Sequence, residues 1–298
     1  MIRRSDGRKY FVASCHAHMG RSSLLTRFRG MDPTFHGPQM VRLLDHYGID
    51  ATVAFGMAKP TSDYTADTDA ILRASRDFPG RIIPFARMNP HMEGGAALVE
   101  RYVREGIRGL KFHPFWDAFQ INDRFLVHPI LEVADHYNLT VLFHSGESWL
   151  TLPGFVWDLA HDFPNTQFII GHSGLYGFDA EAVAVAKRKE NLWLDTTELY
   201  PPERIRMIVD AIGKERLLFG VDAPYINAGC ELEKVLRFSR LRDDELEAVL
   251  GGNLARLLGL DQISPAYARE PVDYPIAEPE WFSPSSTDVT HEEEVALP

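Results

Sequence analysis

Two histidines one residue apart, His16 and His18 in "YFVASCHAHMG", lie at the end of an apolar run. On a β-strand alternate side chains share a face, so both imidazoles point one way, Cys15 and Ala17 point the other, and the pair can hold one cation. Histidines at a strand end also serve as hydrogen-bonded surface groups, and the pair alone does not decide between the two. Further along, His144 ends "VLFHSG", His172 ends "FIIGHSG" in almost the same setting, and Asp222 ends "LLFGVDAPY" just before Pro224. Each has a plain alternative, a satisfied rim histidine or a turn and capping aspartate. Several imidazoles gathered at one mouth would, however, be costly to bury unless charge or metal pairs them. A divalent ion with an open position lowers the pKa of bound water to about 7 and polarises a substrate oxygen. Such an ion also needs nearby groups that move protons.

The elements that must bring these residues together are eight short β-rich runs: "YFVASCHAH", "DATVAFGM", "RIIPFARMNP", "IRGLKFHP", "LTVLFHSGE", "TQFIIGHSG", "NLWLDTTE" and "RLLFGVDAPY". Segments of helical period such as "HPILEVADHY" and "PERIRMIVDAI" separate them. Eight strands each followed by a helix predict an α/β fold of the (β/α)8 TIM-barrel type, whose active site lies at the C-terminal ends of the strands. The polar residues sit at those ends. A doubly wound open sheet shares the alternation, but no GxGxxG follows the first strand. The 298 residues suit one large domain, predicted over 1–260. From 261 to 298 the chain turns Pro-rich and acidic, a C-terminal tail. Tyr267, Tyr274, Trp281 and Phe282 predict that its first two thirds run extended along the barrel or a neighbour, and that only the last dozen residues are disordered.

Other residues at the strand ends are candidates for substrate binding. Lys111 and His113 share a face of strand four; Lys111 points into the barrel by alternation and would pair with a substrate carboxylate or with Glu147. Arg87 in "FARMNP" can meet an anion by a bidentate contact or form a rim ion pair. Trp116, Trp149 and Tyr225 follow strands four, five and eight, where they would wall a planar or cyclic substrate. Asp195 and Glu198, after strand seven, could orient a ligand histidine.

Composition narrows the partners. Nine Asp and Glu against the single Arg269 give the tail −8 of the net charge of −11. No basic stripe suits nucleic acid and no polybasic patch suits a membrane surface, so a small-molecule substrate is expected. No stretch is long and apolar enough to span a bilayer or serve as a secretory signal, which predicts a cytoplasmic protein. Cys15 and Cys230 are too few and too far apart for a disulfide framework or a zinc-binding CxxC, leaving His and carboxylate to hold any metal. A homodimer is left open.

The ordered set of "HAH", His144, His172 and Asp222, together with "GLKFHP", "GHSG" and "GGNLARLLGL", resembles the amidohydrolase superfamily over about residues 10 to 260. The closer likeness is to its short-barrel metal-dependent branch, which includes aminocarboxymuconate semialdehyde and resorcylate decarboxylases and dicarboxylate lactonases. Ser14 stands where an Asp often precedes the HxH pair, and "GVDAPY" replaces the more usual "GSDYP". The resemblance implies one divalent ion, zinc with manganese, cobalt or iron as alternatives, held by His16, His18, His144 and Asp222, with His172 beside the bound water and with His172 and Asp222 moving protons. A binuclear site bridged by a carboxylated Lys111 is the alternative that the superfamily's two-metal members imply. The implied activity is hydrolysis of an amide, lactone or ester of a small carboxylated or cyclic substrate by metal-activated water. The alternative is non-oxidative decarboxylation or hydration of an aromatic or muconate-like acid. A catalytically dead barrel would need lost ligands, and none is lost.

Overall fold

The computed structural model describes residues 1–22, 34–59, 63–175, 177–260 and 270–276. The chain opens with β1 (Ile2–Arg3) and β2 (Lys9–Tyr10), then β3 (Ala13–Ser14), β4 (His18–Arg21) and β5 (Thr34–Phe35). Helix and strand then alternate: α1 (Gly37–His46), β6 (Ala51–Gly56), α2 (Thr65–Asp77), β7 (Ile82–Arg87), α3 (Gly95–Glu105), β8 (Gly109–Phe112), α4 (Arg124–His136), β9 (Thr140–His144), α5 (Pro153–Asp162), β10 (Gln167–Gly171), α6 (Asp179–Ala186), β11 (Leu192–Asp195), α7 (Glu203–Ile212) and β12 (Leu217–Leu218). Short helices α8 (Ala228–Glu233), α9 (Asp243–Glu247) and α10 (Asn253–Leu258) follow, and β13 (Val272–Asp273) is last.

From β6 to β12 each strand pairs in parallel with the next, and β3 and β4 both pair with β6. The ring closes between the first and last barrel strands, where Ala17 bridges Ala223, the Cys15 N–H donates to the Phe219 carbonyl at 2.8 Å and the His18 N–H to the Ala223 carbonyl at 2.7 Å. The eight predicted runs are therefore the eight staves of a (β/α)8 barrel. Strands covered on both faces read as continuous apolar runs, which is why β6 "ATVAFG" and β9 "TVLFH" are buried at every position. Inside the barrel Val53, Phe55, Phe85, Leu142, Ile169 and Leu218 pack together, with Leu254 and Leu258 of α10 joining them. The outward residues meet the helices, whose apolar stripes form the larger core.

Two local features depart from the periodic reading. Barrel strand one is broken between Ser14 and His18, and both the Val221 and Asp222 N–H groups donate to the His16 carbonyl, at 3.3 and 2.8 Å. Against β6 the register passes from Ser14 opposite Thr52 to His18 opposite Phe55, four positions against three, so strand one carries a bulge, and it overturns the expected alternation. Cys15 does not face away from His16, because its sulfur and the His16 ring both reach Asp195. The tail does run extended along the body over 270–276, where β13 pairs in parallel with β1 and Tyr274 packs on the core. Tyr267, Trp281, Phe282 and the last dozen residues lie outside the described residues. No helix among the described residues is long and apolar enough to cross a membrane.

Candidate metal centre

His16, His18 and Asp222 converge where the barrel closes, each offering a donor atom within 4.8 Å of the others. Hydrogen bonds on the far side of each ring fix which nitrogen is offered. His18 Nδ1 lies 3.2 Å from the Gly56 carbonyl, which can only accept, so Nδ1 carries the proton and Nε2 faces Asp222 Oδ1 at 3.0 Å with its lone pair. His16 Nδ1 donates in the same way to Asp195 Oδ2 at 3.0 Å, turning Nε2 toward Asp222 Oδ1 at 3.6 Å. Gly220 allows this approach, since a Cβ there would stand 2.1 Å from Thr197 Oγ1 and 3.0 Å from His16 Cβ. Burial lowers the pKa of both histidines well below the usual value, with Lys111 adding to it, so both are neutral.

Lys111 is fully buried beneath this triad, its Nζ 3.2 Å from His16 Nε2 and over the Phe55 ring. It neither lines the cleft nor meets Glu147, so the substrate contact and the Glu147 pair expected for it are not formed in this arrangement. Burial draws its ammonium down to about 7 and pushes the Asp222 carboxyl up to about 7.

Asp195, the last residue of β11, holds two histidines at once. Oδ2 accepts from the His16 ring, while Oδ1 accepts the His172 backbone N–H at 2.7 Å and the Thr197 N–H at 3.1 Å. His172 itself has φ +60°, and Glu198 and Asp222 share this left-handed backbone at +54° and +47°. Such backbone costs a non-glycine residue about 1–2 kcal/mol and turns these side chains back over the barrel mouth. The His172 ring stands between the two histidine groups, 4.7 Å from His16 and 4.5 Å from His144. Its Nδ1 lies 3.3 Å from Glu198 Oε2 and its Nε2 has no hydrogen-bond partner. Glu198 is pushed up to about 8 by burial and by the Asp222 and Glu231 carboxylates. Behind it Glu231 accepts the Glu198 N–H and the Tyr200 hydroxyl and pairs with Lys234, a network that carried no sequence signal.

His144 departs from the four-residue set expected for one ion. Its Nε2 lies 2.9 Å from Glu147 Oε2, and its ring stacks on His113 at 3.9 Å. These residues line an open cleft with His18, Arg87, Phe115, Trp116, His172, Asp222 and Tyr225. Tyr225 meets His18 edge-on at 4.9 Å. Trp149, expected in this wall, is 70 % exposed and stands outside it; Phe115 lines the wall instead. The Arg87 guanidinium is buried against the Tyr64 ring at 4.2 Å and lies 3.6 Å from Asp117, itself fixed by the Tyr64 hydroxyl. Arg87 Nε and Nη2 nevertheless have no hydrogen-bond partner, which suits a cleft anion.

These side chains fit a divalent cation. Asp222 Oδ1 is buried without a hydrogen-bond partner, and two neutral imidazoles present lone pairs toward it. Burying such a carboxylate unpaired is costly, and a cation removes that cost. Two imidazoles and a carboxylate with open positions form a mixed set that accepts zinc or manganese.

Known proteins share this fold. A family model described as amidohydrolase matches residues 13–260. A 2,6-dihydroxybenzoate decarboxylase from Rhizobium superposes with a TM-score of 0.66 at 14 % identity, over 85 % of this chain and 100 % of that one. A 5-carboxyvanillate decarboxylase from Novosphingobium aromaticivorans with bound manganese gives 0.66 at 12 % identity, over 87 % and 100 %. A probable 2-pyrone-4,6-dicarboxylic acid hydrolase from Acinetobacter baumannii gives 0.62 at 17 % identity, over 83 % and 99 %. At these identities the likeness is one of fold.

Proposed function

The chain belongs to the amidohydrolase family, and from that premise we propose that it is a metal-dependent hydrolase of a small carboxylated or cyclic amide, lactone or ester. The observation that carries this reading is His172. Burial keeps its imidazole neutral and neither ring nitrogen has a hydrogen-bond partner, with Glu198 Oε2 3.3 Å from Nδ1, which leaves Nε2 free to act as a general base. A zinc or manganese ion held by His16, His18 and Asp222 would acidify water and polarise the scissile carbonyl. His172 Nε2 then takes the proton of the attacking water, with Glu198 beside Nδ1 on the far side of the ring. Arg87 orients the substrate by its carboxylate, and Trp116 and Tyr225 exclude water from its ring. The proton on His172 passes to the leaving group, which completes the turnover.

Non-oxidative decarboxylation of an aromatic or muconate-like acid is the second reading, and Glu198 favours it. At about 8 it holds a proton at neutral pH, on the Nδ1 side of His172. A relay through the imidazole would deliver a proton to the carbon that loses carbon dioxide. The decarboxylases of similar fold lend this reading support.

Purified protein loaded with zinc or manganese should be assayed against carboxylated lactones, esters and amides for acid release, and against hydroxylated benzoates for carbon dioxide. Hydrolysis that falls about 10²- to 10⁴-fold in His172→Asn with metal content retained supports the first reading. Carbon dioxide release without hydrolysis replaces it by the second. Loss of the ion from His172→Asn makes that residue a ligand and moves proton transfer to Asp222.

A further inference from the structure

Glu231 of α8 and Lys234 just beyond it form an ion pair, 0 % and 2 % exposed, that the reaction above does not use. Each charged atom of the pair reaches the turn 196–200 after β11. Glu231 Oε2 accepts the Glu198 N–H at 3.2 Å and Oε1 accepts the Tyr200 hydroxyl at 2.9 Å. Lys234 Nζ donates to the Thr196 carbonyl at 2.6 Å and to Glu231 Oε2, and stands over the Tyr200 ring at 4.6 Å. The turn is thus held at Glu198 and on both sides of it. Glu198 has φ +54°, a region that a non-glycine residue keeps only where its surroundings over-determine it. In that conformation its Oε2 lies 3.3 Å from His172 Nδ1. The anchor is itself tied to the cleft, since α8 continues the loop after β12, where the Ile226 N–H donates to the Asp222 carbonyl at 3.1 Å.

We propose that Glu231 and Lys234 are positioning residues of the candidate active site, which fix the turn 196–200 so that Glu198 stays beside His172 and His172 presents Nε2 to the cleft. Apolar side chains of similar volume would fill the same space with little loss of fold stability, because pairing two buried charges returns about what their burial costs. They could not hold an N–H, a carbonyl and a hydroxyl of one turn in fixed places. Neither residue lines the cleft, so the pair acts through Glu198. Its effect on rate rests on the proton-transfer role read above for His172; its effect on the place of Glu198 does not.

The test combines crystal structures, metal content and steady-state kinetics of acid or carbon dioxide release by the full-length, metal-loaded protein. Glu231→Leu/Lys234→Met removes the pair together and leaves no unpaired buried charge. Glu231→Gln keeps an amide oxygen that can accept the Glu198 N–H. Glu198 should leave His172 in the double variant and stay beside it in Glu231→Gln. In the double variant kcat should fall roughly 10- to 100-fold with KM and metal content unchanged, while Glu231→Gln recovers most of the rate. Glu198→Gln should lose a similar factor, and adding it to the double variant should cost nothing further. Tyr200→Phe, on a half-exposed ring, removes one hold without touching a buried charge; its smaller loss should likewise vanish in the Glu198→Gln background. A Glu198 that keeps its place in the double variant overturns the proposal. So do losses that multiply when Glu198→Gln is added, since the pair then acts through the fold at large. Movement of Glu198 in the double variant, with wild-type rate in Glu198→Gln, upholds the positioning and removes Glu198 from the proton-transfer reading.

Discussion

Replacing Asp195 by Asn should weaken metal binding although the residue is not itself a candidate ligand. Its carboxylate accepts from three N–H groups in a fully buried site: the His172 and Thr197 backbones on Oδ1 and the His16 ring on Oδ2. Asn can keep the two backbone bonds through its single carbonyl oxygen. Its NH2 then faces His16 Nδ1–H, donor against donor. The conflict is relieved when the His16 proton moves to Nε2, so that Nδ1 accepts from the amide. In that tautomer Nε2, 3.6 Å from Asp222 Oδ1, no longer offers a lone pair.

Losing the carboxylate behind a ligand histidine lowers metal affinity roughly 10- to 100-fold, about 1.4–2.7 kcal/mol at 1.4 kcal/mol per tenfold. Loss of His16 as a donor adds to this. Fold stability should fall by no more than about 1–3 kcal/mol, because two of the three hydrogen bonds survive. Competition of the stripped protein with a chromophoric chelator at pH 7.5 measures the affinity, and a thermal melt checks the fold. Cys15→Ala is the control: it removes only a 3.8 Å sulfur contact to the same oxygen and should leave affinity within about twofold. An Asp195→Asn protein that binds metal as tightly as wild type would refute the tautomer argument.

Arg87→Met should raise KM for a carboxylated substrate roughly 10- to 100-fold, the worth of a charge-assisted contact, with little change for an uncarboxylated analogue; equal effects on both would remove Arg87 as the anion site. In the metal-free protein His16, His18, His113, His144 and His172 have lowered pKa values, so the unfolded chain takes up protons that the native state does not, and urea midpoints should fall as pH drops below about 6.5. Glu198 acts with the opposite sign: its carboxyl is raised to about 8, so between about 4.5 and about 8 the unfolded state loses a proton that the native state keeps. The stability of Glu198→Gln relative to wild type should therefore grow with pH across that window and then level, and a difference that does not change with pH would be contrary evidence. Truncation after Leu260 removes the pairing of β13 with β1 and the Tyr274 contact, and should lower Tm by a few degrees with the metal retained; loss of the ion would contradict it.

The barrel was legible because its strands are buried on both faces and several run into a polar residue, so apolar runs mark the staves and His144, His172, Arg87 and Asp222 mark one rim. Lateral placement at that rim was not legible. "YFVASCHAH" reads as unbroken alternation, and nothing in it announces the bulge that lets Cys15 and His16 reach the same carboxylate. Trp149 and Phe115 are equally plausible wall residues by type and position, and only the path of the loop after β9 leaves the tryptophan outside. Lys111 was correctly placed inside the barrel by its period, but depth along the axis decides its neighbour, and period carries no depth.

Asp195 and Asp222 show where residue type stops being informative. Both follow a run of buried residues at a strand end, and both are nine-tenths buried or more. Asp195 has its lone pairs taken by three N–H groups and its back to the cleft, so it can only orient what donates to it. Asp222 keeps Oδ1 without a hydrogen bond, opposite two imidazole lone pairs. Hydrogen-bond satisfaction separates an orienting carboxylate from a candidate ligand, and it depends on partners up to 179 residues away, as for His16 and Asp195.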